Sequence, residues 1–306
     1  MAAGPQWVLP GGGAMALTPI ALAAGFMAGL GVLLAALLAL ASRRLYVYED
    51  PRIDAVEAML PHSNCGSCGM AGCRAFAEAV VAGRIEPARC TVNAPERNAQ
   101  IARLLGVAVG KAERRVARLA CAGGSHVARM RARYDGLASC RAAASVGGGG
   151  KACAWGCLGL GDCAAVCEFA AIHMDPFDLP VVDTDRCTGC GDCVEVCPKD
   201  LFSLQPLAHK LWVACKNRAD GPTAEAQCEV ACTACGRCVA DAAPGLIRLE
   251  DNLAVIDYGR NALARSEAIE RCPTGAIVWL EGGRVLRGRA AKRIVRVTPL
   301  PLASEG

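Results

Sequence analysis

Histidine and aromatic side chains are both scarce: four histidines in 306 residues, with Phe, Trp and Tyr together only 4%. So few rings argue against domains built on large aromatic cores and suit small modules that bury thiolate-ligated inorganic clusters instead. A charge excess is missing too. Thirty-three basic against 29 acidic residues leave a net charge of +4, which gives no global argument for nucleic-acid binding. Nothing resembles a nucleotide-binding or ion-channel motif, and residues 1–42 contain no Lys or Arg.

That uncharged start is itself informative. Ile20 through Leu40 is almost wholly Ala, Leu, Gly, Val, Phe and Met, and Arg43 and Arg44 follow at once. Roughly 20 apolar residues span the hydrocarbon core of a bilayer, so residues 1–44 read as an N-terminal membrane anchor. By the positive-inside rule the rest of the chain faces the cytoplasm, on the inner membrane of the cell. A cleaved signal peptide is the competing reading, with Ala39-Leu40-Ala41 as its cleavage site. The uncharged leader and the length of the apolar run favour an uncleaved single-pass helix.

What the chain has in abundance is cysteine, 20 in all. Repeated steps of two intervening residues suit the thiolates of a [4Fe–4S] cube better than paired disulfide bridges, while isolated CxxC pairs also suit zinc. The central signature is Cys187-Thr-Gly-Cys190-Gly-Asp-Cys193-Val-Glu-Val-Cys197-Pro198. In two-cluster ferredoxins the first three cysteines of such a run hold one cube and the fourth reaches across to a second.

Residues 45–105 carry another site. Val56, Met59 and Leu60 at helical spacing end at Pro61, and His62 reads as a loop residue. Cys65, Cys68, Cys73 and Cys90 then follow with C-x2-C-x4-C-x16-C spacing, as ligands of cluster 1. Arg74–Val81 reads as a helix with Phe76, Ala79 and Val80 on one face. Ile101 through Leu119 suggests a helix and then a strand, after which residues 106–151, rich in Arg, Ala and Gly, read as a linker or insertion with a flexible tip at Gly147–Gly150.

The partner of the central signature is Cys153-Ala-Trp-Gly-Cys157-Leu-Gly-Leu-Gly-Asp-Cys163-Ala-Ala-Val-Cys167, in which the second ligand position falls on Leu160. Cys153 is the nearest replacement, although Cys121 or Cys140 could serve. By the crossing rule Cys153, Cys157, Cys163 and Cys197 hold cluster 2, and Cys167, Cys187, Cys190 and Cys193 hold cluster 3. These make residues 152–208 a two-cluster ferredoxin-like domain. Short apolar strands follow each motif, at 170–174 and 201–204, and 179–183 leads into the second motif. His173 sits in the first of these strands and reads as packing rather than ligation.

Residues 209–283 repeat the pattern with losses. Cys232, Cys235 and Cys238 lie in a third unit, Ala242 stands where its fourth cysteine would be, and the next unit keeps only Cys272-Pro273. Under the crossing rule the losses agree: Cys232, Cys235, Cys238 and Cys272 hold cluster 4, and the neighbouring site is empty. Sixteen cysteines are then used in four cubes. Cys121, Cys140, Cys215 and Cys228 remain, as buried thiols or as alternative ligands. Cys140-x12-Cys153-x3-Cys157 matches Cys215-x12-Cys228-x3-Cys232, so the two ferredoxin pairs look like duplicates. Residues 284–306 hold Arg284, Arg287, Arg289, Lys292, Arg293 and Arg296 and read by default as a solvated basic tail, or as a docking segment for an acidic donor or anionic lipid.

The fold class expected is therefore α+β: one N-terminal transmembrane helix, a small α-rich iron–sulfur domain, and two ferredoxin-like modules of the two-cluster type, the second degenerate. The C-x2-C-x4-C-x16-C stretch resembles the iron–sulfur domain of the B-subunit of the Rnf electron-transport complex, and a related domain of corrinoid-protein components in acetyl-CoA metabolism. The whole order of domains resembles the long form of the Rnf B-subunit. Asp50-Pro51-Arg52, Asn64-Cys65-Gly66 with Cys68-Gly69, Cys157–Cys163 and Ile256-Asp257-Tyr258 carry that resemblance, and the eroded fourth unit departs from it. It implies a membrane complex that passes electrons between ferredoxin and NAD while moving Na+ or H+. The B-subunit would accept electrons from soluble ferredoxin, with membrane and flavin-bearing subunits as its other partners and no catalytic acid or base of its own. Alternatives are a membrane-tethered polyferredoxin for a different reductase and a redox-sensing metal scaffold.

Overall fold

An apolar run with no internal charge can form only one kind of stable segment in lipid, a helix that satisfies its own backbone. In the computed structural model, which describes residues 17–45, 49–111 and 113–302, helix α1 runs Leu17–Leu45. Within it Pro19–Leu45 has a mean hydropathy of 2.3 over its most apolar window, and no part of that window is buried by the protein. The chain divides into two units, residues 1–51 and 52–306. Tyr46-Val47-Tyr48 and the last four residues of the basic tail lie outside the described residues.

The second unit begins with helices. Helix α2 (Pro51–Glu57), α3 (Cys73–Val81) and α4 (Pro95–Leu105) bury Val56, Leu60, Phe76, Val80 and Ile101 against one another, the helical face expected from the sequence. Gly106 at φ 67 ends α4 in the left-handed conformation that glycine adopts without steric cost.

Strand β1 (Arg115–Leu119), α5 (Cys140–Ser145), α6 (Asp162–Ala165), β2 (Ile172–Met174), β3 (Pro180–Val182), α7 (Asp192–Val196) and β4 (Phe202–Pro206) build the first ferredoxin-like half. β1 pairs antiparallel with β4, Leu119 opposite Phe202, and β2 pairs with β3. The strand expected at the start of the stretch taken as a linker is present, and it is buried on both faces, with Val116 on one and Ala117 on the other. The glycine tip of that stretch is packed rather than loose: Gly149 lies against Ala143 and Leu158, and Gly150 against the Ala132 backbone. His173, expected to pack, is exposed on β2.

The second half repeats the first: β5 (Leu211–Val213), α8 (Gly221–Gln227), α9 (Arg237–Asp241), β6 (Ile247–Glu250), β7 (Leu253–Ile256), β8 (Ile277–Glu281) and β9 (Arg284–Leu286). β5 pairs with β8 as β1 does with β4, and β6 with β7 as β2 does with β3. The equivalence holds at single hydrogen bonds. Ala120 N donates to Leu201 O at 2.8 Å, and Ala214 N donates to Ala276 O at 2.8 Å. Cys121 and Cys215 are therefore counterparts, each one residue past this bond, rather than Cys140 and Cys215 as their x12 spacing suggested.

Where the fourth unit has lost its cysteines, side chains fill the space. Residues 258–263 and 266–269 form 3-10 turns, and Tyr258, Ala264, Ala268 and Ile269 join Ala242 in the core of this half. The Tyr258 hydroxyl donates to Leu211 O at 3.1 Å. The basic segment is not a solvated tail through its described length. β9 extends the β5–β8 sheet, Arg296 bonds His126 O and Glu229, and Leu300 N donates to Ser125 O.

Candidate metal centres

A loop that places three thiols around a small cavity must turn sharply twice, and the three motif loops do so identically. Positive φ angles fall at Gly159 and Gly161, at Gly189 and Gly191, and at Ala234 and Gly236, always two and four residues after the first cysteine. In each loop a short helix follows and carries the third cysteine, Cys163, Cys193 or Cys238. The backbone of the first loop is thus that of a regular cluster loop in which Leu160 takes the place of a cysteine.

Twenty cysteines, none of them in a disulfide, line five cavities, four in each. Cys65, Cys68, Cys73 and Cys90 surround one. Cys167, Cys187, Cys190 and Cys193 surround another, and Cys232, Cys235, Cys238 and Cys272 a third. Three of the four expected sets are thereby brought together.

The expected cluster 2 set is not. Cys157, Cys163 and Cys197 share their cavity with Cys140, and Cys153 lies in a different one with Cys121, Cys215 and Cys228. The cause is local: Asp162 at the head of α6 accepts hydrogen bonds from Ser139 Oγ at 3.0 Å and Arg141 N at 3.2 Å, which pins the first turn of α5 beside the loop. Cys140 starts that turn. Ser139 and Asp162 are the residues that sequence reasoning missed, and a capping-type serine just before Cys140 was the one available hint.

Each cavity is walled by four thiols, the same donor set five times over, which points to one kind of occupant. Among the described residues no three Cys, His, Asp or Glu groups converge on a point that could hold a single metal ion. Four thiols around one cavity are the donor set of a [4Fe–4S] cube. Backbone amides point at the sulfurs: Ala117 N to Cys187 Sγ at 3.4 Å, Ala171 N to Cys167 Sγ at 3.3 Å, and Leu201 N to Cys197 Sγ at 3.4 Å. Such donors stabilise thiolate charge and tune a cluster's potential.

Burial pushes the thiols of Cys157, Cys193 and Cys238 up to about 12 and that of Cys163 up to about 11, with neighbouring cysteines adding in the same direction. A positively charged occupant would favour the thiolate forms that burial disfavours. His62, exposed at φ 54, turns the chain just before Cys65 and lines none of the five cavities.

The first cavity and the Cys187 loop are joined. Ser67 Oγ donates to Gly189 O at 3.1 Å and Thr91 Oγ1 to Thr188 O at 2.9 Å. Behind the first cavity Asn98 is buried, donating to Cys90 O at 3.0 Å and accepting from Asn93 at 2.9 Å.

Two family models match these regions: an Fe-S cluster domain over residues 60–92 and a 4Fe-4S dicluster domain over 154–204. Across nearly its full length the chain is similar to the B-subunit of the Na(+)-translocating ferredoxin:NAD(+) oxidoreductase complex of Acetobacterium woodii, 39% identical over 91% of this chain and 82% of the relative. It is also 38% identical to the B-subunit of the proton-translocating ferredoxin:NAD(+) oxidoreductase complex of Clostridium ljungdahlii, over 84% of this chain and 92% of that one. The chain belongs to the B-subunit family of ion-translocating oxidoreductase (Rnf) complexes. The Methanosarcina acetivorans member is 36% identical over 82% of this chain and 95% of its own length. As an Rnf B-subunit, the chain is an iron–sulfur electron-transfer protein that carries [4Fe–4S] clusters and forms part of a membrane-associated complex of several subunits.

Proposed function

We propose that this chain relays electrons between soluble ferredoxin and the other membrane and flavin-bearing subunits of its complex, where NAD chemistry and ion movement take place. The observation that carries this reading is the linkage of the four-cysteine cavities. Cys163 in α6 and Cys167 just past it line adjacent cavities, as do Cys193 in α7 and Cys197 just past it, while Ser67 and Thr91 tie the first cavity to the Cys187 loop. Residues four apart are separated by at most about 14 Å even in an extended chain, which keeps neighbouring sites close.

The ligand sets proposed are Cys65, Cys68, Cys73 and Cys90 for cluster 1, Cys140, Cys157, Cys163 and Cys197 for cluster 2, Cys167, Cys187, Cys190 and Cys193 for cluster 3, and Cys232, Cys235, Cys238 and Cys272 for cluster 4. When bound, each cube supplies reversible one-electron transfer. The chain's own residues hold it, exclude water and aim amide donors at its sulfurs. The division of labour by domain follows: residues 1–44 anchor the chain, residues 45–105 form the first cluster domain, and the two ferredoxin-like halves start at β1 and β5. Arg43 and Arg44 at the end of the anchor support a cytoplasmic position for the cluster-bearing unit, by the positive-inside rule.

Relatives named for sodium and for protons resemble this chain to the same degree, which supports leaving the choice of ion to partner subunits. The test is rapid anaerobic mixing of the detergent-solubilised chain with reduced ferredoxin. Bleaching of the cluster absorbance with growth of reduced-cube EPR signals is expected. Reduction by dithionite but not by ferredoxin would reject ferredoxin as the electron source.

A further inference from the structure

The four cysteines left outside those sets are brought together. Cys121, Cys153, Cys215 and Cys228 line one cavity, matching the other four in number of thiols. We infer that these four residues hold a further [4Fe–4S] cluster, one that bridges the two ferredoxin-like halves and joins them electrically. The inference rests on the relay reading above and adds a site to it.

The cavity is built by the internal duplication. Cys121 follows β1 and Cys215 follows β5 at equivalent positions, and Cys153 and Cys228 each stand four residues before the first cysteine of a cluster loop, Cys157 or Cys232. Each half alone contributes two thiols. Only their apposition makes four, held in register where Arg129 N donates to Gln227 O, Glu229 N to Val127 O, and Trp212 Nε1 to Leu119 O.

The donors around the sulfurs repeat across the same duplication. Gly123 N and Cys157 N lie 3.4 and 3.5 Å from Cys121 Sγ, while Asn217 N and Cys232 N lie 3.4 and 3.3 Å from Cys215 Sγ. The buried Asn217 side chain adds a donor, Nδ2 to Cys153 Sγ at 3.5 Å, and also bonds Gln227 at 2.9 Å. These are the amide-to-sulfur contacts found at the motif cavities. Gly123 leaves room for the group, since a Cβ there would stand 3.1 Å from Cys228 Sγ.

Charge supplies an independent pointer. Lys151 lines the cavity, is 7% exposed, and has no carboxylate partner among the described residues; its Nζ bonds only Gly123 O at 2.6 Å and Cys157 O at 2.5 Å. A buried ammonium without a counter-ion is costly. Four thiolates around an iron–sulfur cube carry net negative charge and would offset it.

The position gives the site its use. Cys153-x3-Cys157 leads to cluster 2 and Cys228-x3-Cys232 to cluster 4. Four residues reach at most about 14 Å when fully extended. The order along the relay becomes cluster 1, cluster 3, cluster 2, the bridging site, cluster 4. One electron passes to the bridging site from the reduced cube on one side, which is thereby oxidised, and one leaves to the oxidised cube on the other.

The test is iron, acid-labile sulfide and zinc analysis of the whole anaerobically purified chain, with EPR, beside the variants Cys121→Ser and Cys215→Ser. At four irons per cube, about 20 irons are expected in the parent chain and about 16 in each variant, with the signals of the other cubes retained. About 16 irons in the parent, unchanged in both variants, overturns the bridging cluster and leaves the four-cluster relay standing. Zinc, or iron far below 16, overturns the relay reading itself. Should the serine variants fail to fold, Asn217→Ala serves: iron stays at about 20 and one midpoint potential alone moves negative, since a donor to a thiolate is lost. Five unmoved midpoints in that variant overturn the proposal.

Discussion

Exchange of the displaced ligand separates the structural assignment from the simplest reading of cysteine spacing. Cys140→Ser and Cys153→Ser each remove one thiol, and each should lower iron by about four atoms per chain, so a metal count alone cannot tell which site was lost. Magnetic coupling can. In the proposed sets Cys163 and Cys167, and likewise Cys193 and Cys197, divide between clusters 2 and 3; each pair is four residues apart, at most about 14 Å of extended chain, and dipolar coupling falls with the cube of distance. In the fully reduced chain, Cys140→Ser should therefore strip the interaction broadening from the cluster 3 spectrum. Cys153→Ser should leave that broadening in place. The loop geometry adds a rescue: with Gly159 and Gly161 at the same positive φ as in the intact loops, Cys140→Ser combined with Leu160→Cys should rebuild the site in regular ferredoxin form. Broadening lost in Cys153→Ser and kept in Cys140→Ser would refute the assignment and restore Cys153 to cluster 2.

Three other perturbations test parts of the frame. Asn98→Ala removes two buried hydrogen bonds and strands Cys90 O and Asn93 Nδ2, a cost of about 2–4 kcal/mol; loss of cluster 1 at lower denaturant than the other clusters, followed by absorbance and EPR, is the expected result. Gly189→Ala puts a Cβ 2.7 Å from Arg115 O at a φ of 73°, so the cluster 3 loop must shift; its EPR signal should fall while that of cluster 4 persists. Arg296→Ala should free the C-terminal strap and speed its cleavage by trypsin in native conditions. Burial holds His126 beneath that strap below its ordinary value. Its neutral form therefore contributes stability above about pH 6.5, lost as pH falls, and cleavage should accelerate on acidification unless His126 is replaced by Gln.

The parts of this molecule written in local spacing were legible in the sequence. The anchor, the helix after Cys73 and the strand pairs after each motif follow from runs of a few residues, and three of the cysteine groupings read from motif spacing are the ones that share a cavity. The company of Cys140 was not legible, because it reaches the cavity of Cys157, Cys163 and Cys197 through Asp162 and Ser139, a contact across 23 residues that no periodicity records. The x12 coincidence between Cys140 and Cys215 also pointed to the wrong counterpart. Strand pairing of β1 with β4 and β5 with β8 corrected it, since register identifies Cys121. Residues 258–269 show the reverse case: the missing cysteines were plain in the sequence, but their replacement by a packed core of Tyr258, Ala268 and Ile269 was not. The basic tail misled for a similar reason, as its arginines find Glu270, Glu229 and backbone carbonyls far away in the chain.

An unbroken series of clusters is the central claim, and freeze-quench EPR of the Cys121→Ser chain after mixing with reduced ferredoxin tests it most directly. With the bridging site gone, the reduced signals are expected to divide at the break: clusters 1, 3 and 2 rise or lag together, and cluster 4 follows a separate time course, whereas in the parent chain all rise together. Joint, unchanged reduction of cluster 4 with clusters 1, 3 and 2 in the variant would contradict it.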